Sequence, residues 1–153
     1  MRLTARPLDA AALAPFATVL DGAHGATFPA VLEPGNVPGA AAFTLLCLQP
    51  GSSPATLTML ERHPHSTQSF LPIQSGRWLV LVAPTAPDGS PDMAAALAFV
   101  AGPEDAICIH RDVWHAGLTV FDRPARFGMI MWKAAQDEDG VVYTLADPAI
   151  VTI

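Results

Sequence analysis

Short runs in which apolar and polar residues alternate, punctuated every few positions by Pro or Gly, make up most of the chain. A period of two turns one face of a strand to the core and the other to water. Residues 56–63, TLTMLERH, show it plainly: Leu57, Met59 and Glu61 share one face, and Thr58, Leu60 and Arg62 the other. Residues 41–49 (AAFTLLCLQ), 68–73 (QSFLPI) and 77–84 (RWLVLVAP) also read as strands. Gln74-Ser75-Gly76 stands between the last two and predicts a hairpin. Residues 106–110, 114–121 and 125–133 continue the strand pattern, and 141–145 (VVYTL) predicts an added edge strand.

Helix signals are few. Residues 8–20 predict a short helix or turn. The clearest helix falls at 91–100, PDMAAALAFV, with Ser90 as its cap and Pro91 at the first position. Residues 22–40, rich in Gly, Pro and Ala, predict a loop. The sum is an all-β chain of roughly eight or nine strands with one or two short helices, compatible with a small closed barrel. Residues 1–153 suit one domain with one core.

Composition narrows the function classes. Hydrophobic residues make up 51% and charged residues 14%, which argues against disorder. The net charge is -6 and the basic residues are scattered, so nucleic acid and anionic lipid are not expected partners. No apolar run is long enough to span a membrane and no targeting segment is visible, so a cytoplasmic location is expected. Cys47 and Cys108 lie in apolar runs outside any CxxC pair, which predicts two reduced, buried thiols. So much apolar side chain on a small barrel predicts a homodimer.

The chemistry concentrates in two segments. ERHPHSTQ (61–68) and HRDVWH (110–115) hold four of the 5 histidines. Glu61 and His63, two apart on a strand, converge on one point, and Gln68 and His115 can reach it from neighbouring strands. Glu61, His63, Gln68 and His115 are therefore candidates for acid/base work and for a divalent metal. The bland alternative is a hydrogen-bonded polar interior without metal. His24 in its Gly-rich loop reads as solvated, and His65 and His110 sit near strand ends. Trp78, Trp114 and Trp132 are core candidates, with Trp114 also placed to wall a pocket beside His115. Arg126 and Lys133 flank the last apolar strand, and a cation there would anchor a carboxylate.

These segments carry a resemblance. ERHPHSTQSFLPI resembles the ureidoglycolate lyase motif E-R-H-P-x-x-[ST]-Q-x-F-x-P, and RWLVLVA the strand that follows it. SPDMAAALAFV is similar to the family's P-D-x-x-x-L-x-A-F segment, and HRDVWH to its tract ending in Trp-His. The Glu61-x-His63-x(4)-Gln68 spacing, with Gly76 and then His115, follows the ligand pattern of cupin barrels. The resemblance implies a cupin-like double-stranded β-helix that commonly dimerises. It implies cleavage of (S)-ureidoglycolate to glyoxylate and urea in allantoin and purine breakdown, with nickel or another divalent ion as cofactor. Ala116-Gly117 and Met131-Trp132-Lys133 depart from the family's usual residues.

On that reading His63 and His115 are the acid/base pair, because His titrates nearest neutrality. Glu61 is a base or orients His63, and Gln68 hydrogen-bonds the urea group. Lys133 is the preferred carboxylate anchor. Arg62, Trp114 and His110 are further candidates for substrate binding, with Arg62 on the strand face opposite Glu61 and His63. Two rival classes stay open. One is a non-catalytic barrel that binds a small acid, and the other a related cupin enzyme with a shifted substrate, such as a metal-dependent isomerase or dioxygenase.

Overall fold

The structure is a computed structural model that describes residues 1–22, 25–28, 37–135 and 139–153. His24 and most of the expected 22–40 loop lie outside the described residues. The chain enters through two short strands, β1 (Arg2–Thr4) and β2 (Arg6–Pro7), then α1 (Ala10–Leu13) and β3 (Ala17–Val19). α1 is a single turn whose Asp9 side chain accepts from the Ala11 and Ala12 amides, so it is capped but too short to build on.

The remaining strands are β4 (Gly39–Leu48), β5 (Ala55–Arg62), β6 (Gln68–Gln74), β7 (Trp78–Ala83), β8 (Leu97–Ala101) and β9 (Ile107–Ile109). β10 (Trp114–His115), β11 (Thr119–Val120), β12 (Ala125–Ala134) and β13 (Val141–Thr152) follow. They form two sheets. One runs β1-β13-β5-β10-β7-β8-β2, with β11 also paired to β7; the other runs β3-β9-β6-β12-β4. From β4 to β7 and from β9 onwards successive strands fall mostly in alternate sheets. That winding is the double-stranded β-helix, and it encloses a nearly closed barrel.

The barrel interior is apolar over most of its length. Phe70, Ile107, Ile109, Phe127 and Met129 from one sheet meet Trp78, Val80, Val82 and Phe99 from the other. β7 is buried on both faces, because Leu79, Leu81 and Ala83 join a second cluster with Leu57, Leu60, Trp114 and Phe121. This explains why WLVLVA is an uninterrupted apolar run and not an alternating one.

Several expectations are corrected. Gln74-Ser75-Gly76 is not a hairpin turn, since β6 and β7 belong to different sheets. It is a corner, and a Cβ at Gly76 would stand 2.8 Å from the Phe121 carbonyl oxygen. Asp122 braces the corner, accepting from both the amide and the guanidinium of Arg77. Residues 91–100 are not a helix. Asp92, not Ser90, caps a three-residue 3-10 turn at Met93–Ala95, and Leu97–Ala101 become β8. β7 needs a partner along its free edge, and ladder pairing there outweighs the helix propensity of Ala and Leu.

β13 is no edge strand: it lies between β1 and β5, and pairs with most of β5. Its register shifts between Thr144 and Ala149, opposite Thr58. Across that irregularity the alternation of β5 changes sense. Leu57 and Leu60 share one cluster, while Met59 is 54% exposed. The residues 114–121 form two short strands, β10 and β11, and not one. Cys108 is buried as expected, but Cys47 is exposed, because it sits on the outer side of the edge strand β4. No helix among the described residues is long and apolar enough to cross a membrane.

Candidate active site

The polar cluster occupies one end of the barrel. Glu61 is the penultimate residue of β5, His63 follows the strand, and β10 places His115 directly opposite Glu61 in the ladder. Residues paired across a ladder project to the same side, so His115 joins the face that Glu61 and His63 share. Gln68 opens β6, which belongs to the other sheet. It therefore reaches the cluster across the barrel and not from a neighbouring strand.

The contacts are specific. His63 Nδ1 donates to the Asp139 carbonyl at 2.8 Å, and His115 Nδ1 donates to the Val113 carbonyl at 2.9 Å. Each ring thus has its Nδ1 tied to the main chain and its Nε2 turned inward. His115 Nε2 lies 2.9 Å from Gln68 Oε1 and 3.6 Å from Glu61 Oε1. His63 Nε2 lies 4.0 Å from Glu61 Oε1, is buried, and has no hydrogen-bond partner among the described residues. The two ring centroids are 5.4 Å apart.

Gln68 is oriented by sulfur. Its Nε2 faces the Met129 and Met131 thioethers at 3.4 and 3.9 Å. The opposite amide orientation would set oxygen against two electron-rich sulfurs. Glu61, Gln68 and the His63 nitrogen are then acceptors aimed at one region. Such a region requires either a proton on His115 Nε2 or a cation bound there in its place.

The electrostatics agree. The neighbouring His115 imidazole holds the Glu61 carboxyl below its usual range, outweighing the opposite effect of burial. Burial first, and then the charge of His115, push His63 below the ordinary histidine value of 6.5. His63 is therefore neutral at pH 7, with a lone pair on Nε2. Ligand atoms of Glu61, His63 and His115 all lie within 4.8 Å of one another, and a divalent cation fits this donor set.

A cavity of about 370 Å³ opens beside His63, lined also by Met131, Trp132, Lys133, Asp139 and Gly140. Met129, Met131 and Lys133 occupy alternate positions of β12, so the exposed Lys133 stands at the barrel mouth on the site face. The Met131-Trp132-Lys133 departure thus falls on the cavity, whereas Ala116 packs into the second apolar cluster. A larger groove of about 670 Å³ is lined by Leu8, Asp21, Val100 and Glu104. None of the candidate residues lines it.

Other candidates stand elsewhere. Trp114 does not wall the pocket: it is 1% exposed in the second cluster, with the Arg62 guanidinium over its ring at 4.6 Å. Arg62 also pairs with Asp112 at 3.3 Å, on the face away from His63 as strand parity requires. His110 is joined to Thr18 Oγ1 at 3.0 Å and does not line the cavity. Trp78 is core, donating to the Gly102 carbonyl. Sequence reasoning missed Asp139, Met129 and Met131. The period of two through Met129, Met131 and Lys133 was a usable signal, whereas nothing local marks Asp139.

The comparisons agree with the motifs. The sequence profile of the family described as Ureidoglycolate lyase matches residues 27–152. A homologue from Agrobacterium fabrum is 32% identical over 99% of this chain and 95% of its own length. The ureidoglycolate lyase of Mesorhizobium japonicum is 33% identical, covering 82% of this chain and 83% of its own. That of Chelativorans sp. is 32% identical over 77% of each chain. A solved structure of RmlC from Streptococcus suis overlaps 59% of this chain and 42% of its own at 10% identity, with a TM-score of 0.44. The fold assignment rests on the strand topology instead. On the profile match and these relatives, the chain belongs to the ureidoglycolate lyase family.

Proposed function

We propose that this protein is a single-domain lyase that cleaves (S)-ureidoglycolate to glyoxylate and urea, in allantoin and purine breakdown. The observation that carries the reading is the convergence of His63 Nε2, His115 Nε2 and Glu61 Oε1 at one end of the barrel, beside a cavity that holds Lys133. Family membership supplies the substrate.

Ureidoglycolate bears a hydroxyl, a carboxylate and a urea nitrogen on one carbon. Cleavage takes the hydroxyl proton, forms the aldehyde C=O, and breaks the C–N bond. The C–N electron pair leaves with the nitrogen, which takes up a proton to become urea. His63, neutral and unpartnered at Nε2, accepts the hydroxyl proton. His115, held between the Gln68 and Glu61 oxygens, presents Nε2–H and donates to the departing nitrogen. The proton count is unchanged over the reaction. Glu61 balances the charge on the imidazoles, Gln68 orients the urea group, and Lys133 anchors the carboxylate. Loss of either the general acid or the general base costs about 100- to 10,000-fold.

The same donor set suits a divalent cation, nickel by the family resemblance, held by Glu61, His63 and His115 with the Gln68 amide oxygen adjacent. When bound it would supply a Lewis acid for the hydroxyl and carboxylate oxygens. Cys47 and Cys108 are not joined in a disulfide, which supports a cytoplasmic location. A homodimer is supported by the outer face of the β4 sheet, where Phe43, Leu45 and Ile73 are each more than half exposed. Light scattering that returned the monomer mass at micromolar protein would count against it.

The test is a product assay. Purified protein, with and without chelator treatment and added nickel, should release urea and glyoxylate in equal amounts from one enantiomer. Ammonia in place of urea would indicate amide hydrolysis. No product from either enantiomer under any condition would leave a small-acid-binding barrel as the better account. Full turnover after exhaustive chelation would assign the chemistry to the imidazole pair alone.

A further inference from the structure

We propose that Asp139 is a positioning residue for this site: a buried turn residue that holds His63 with Nε2 directed at Glu61 and His115. The inference rests on the catalytic reading above only for its consequence, since the geometry stands without it.

Asp139 lies in the connection before β13 and is 6% exposed. Both of its carboxylate oxygens are engaged by the segment that carries His63. Oδ1 accepts from the His65 amide at 2.6 Å, and Oδ2 accepts from the Ser66 hydroxyl. Its main-chain carbonyl accepts from His63 Nδ1 at 2.8 Å. One residue thus binds three successive functional points of a four-residue stretch, twice through its side chain and once through its backbone.

The division of labour has chemical content. Any residue could offer a carbonyl to His63 Nδ1, but the carbonyl is useful only if it stays in place. The side-chain bonds to His65 and Ser66 lock the two segments together, and the carbonyl then fixes the ring. An imidazole free in water favours the tautomer with hydrogen on Nε2. A fixed acceptor at Nδ1 reverses that choice and leaves the lone pair on Nε2, the atom that has no hydrogen-bond partner among the described residues. The same arrangement readies His63 both to accept a proton and to bind a cation.

The variants Asp139→Ala, Asp139→Asn and Ser66→Ala test this in the full chain. Asn can accept from the His65 amide through its oxygen and donate to Ser66 through its nitrogen, so it preserves both bonds. Nitrogen-15 NMR of the metal-free protein at fixed pH reads the His63 tautomer directly, and calorimetric titration with Ni²⁺ reads the donor set. Wild type and Asp139→Asn should show hydrogen on Nδ1 and nickel affinities within about threefold of one another. Asp139→Ala should mix the tautomers and weaken nickel binding by about 10- to 100-fold. A folded Asp139→Ala protein with an unchanged tautomer would overturn the proposal, because a merely structural role moves only stability. Should that variant fail to fold, Ser66→Ala decides, with a partial tautomer shift expected and none overturning it. An Asp139→Asn protein as impaired as Asp139→Ala would assign the effect to charge and also overturn it. Absence of ureidoglycolate turnover in wild type would sink the lyase reading while leaving the tautomer result standing.

Discussion

Replacing His63 by Ala separates catalysis from stability at this site. Its side chain is 12% exposed and makes one hydrogen bond among the described residues, from Nδ1 to the Asp139 carbonyl. Losing that bond costs about 0.5–1.5 kcal/mol. The buried, unpartnered Nε2 is itself a desolvated polar atom, so its removal recovers part of the loss. The net effect is below about 1 kcal/mol, a fall in Tm of no more than roughly 2–4 °C for a chain of this size. The effect on turnover is of another order, because the variant keeps the barrel and lacks the proton acceptor: kcat/KM should drop about 100- to 10,000-fold. The assay is release of urea and glyoxylate at pH 7.5, with circular dichroism to verify the fold and the Asp139→Asn protein as a folded comparison. A His63→Ala enzyme that is well folded and releases urea at the wild-type rate would refute the assignment of His63. One that is inactive but globally unfolded would refute the estimate of its small structural share.

His115→Ala should be the more damaging change to the fold. The ring is 1% exposed between the two sheets, and its loss leaves the Gln68 and Val113 oxygens without their donor. About 2–4 kcal/mol should be lost in denaturant unfolding, and a loss under 1 kcal/mol would contradict the burial argument. The pH profile follows from the shifts. His63 is depressed below 6.5, so it remains proton-free further into acid than a solvent histidine, and the acidic limb of kcat/KM should be centred below pH 6.5. Stability changes in the same direction: both His63 and Glu61 have lowered values, so the unfolded chain binds more protons and stability is lost as the pH falls through these groups. An acidic limb centred above 6.5 would contradict this. Lys133→Ala should raise KM about tenfold or more with the fold unchanged, because Lys133 is exposed at the mouth of the cavity. An unaltered KM would remove it as the carboxylate anchor.

The strand pattern, and with it the fold class, was legible because a period of two is a local property of a strand half-buried in a barrel. The same parity put Glu61 with His63 and Arg62 opposite them, as the structure has it. His115 was reachable only through the spacing shared with a family, since nothing local says that β10 pairs with β5.

What the sequence could not determine depended on partners distant along the chain. Residues 91–101 carry helix-forming Ala and Leu, yet the open edge of β7 draws Leu97–Ala101 into a ladder. The turn at 74–76 has hairpin composition, yet β6 is already flanked by β9 and β12 and β7 by β8 and β10, so the chain changes sheet there. Trp114 precedes His115 and for that reason faces away from it, into the second cluster. Gln68 meets His115 across the barrel, oriented by two methionine sulfurs from β12. Asp139 sits 76 positions from His63 and acts on it through a backbone carbonyl, which every residue possesses. Sequence alone therefore marked Glu61 and His63 as neighbours on one strand face, with Arg62 on the other. Only the tertiary structure decided which nitrogen of His63 faces the site, because that is set by the main-chain acceptor of Asp139, brought in from elsewhere along the chain.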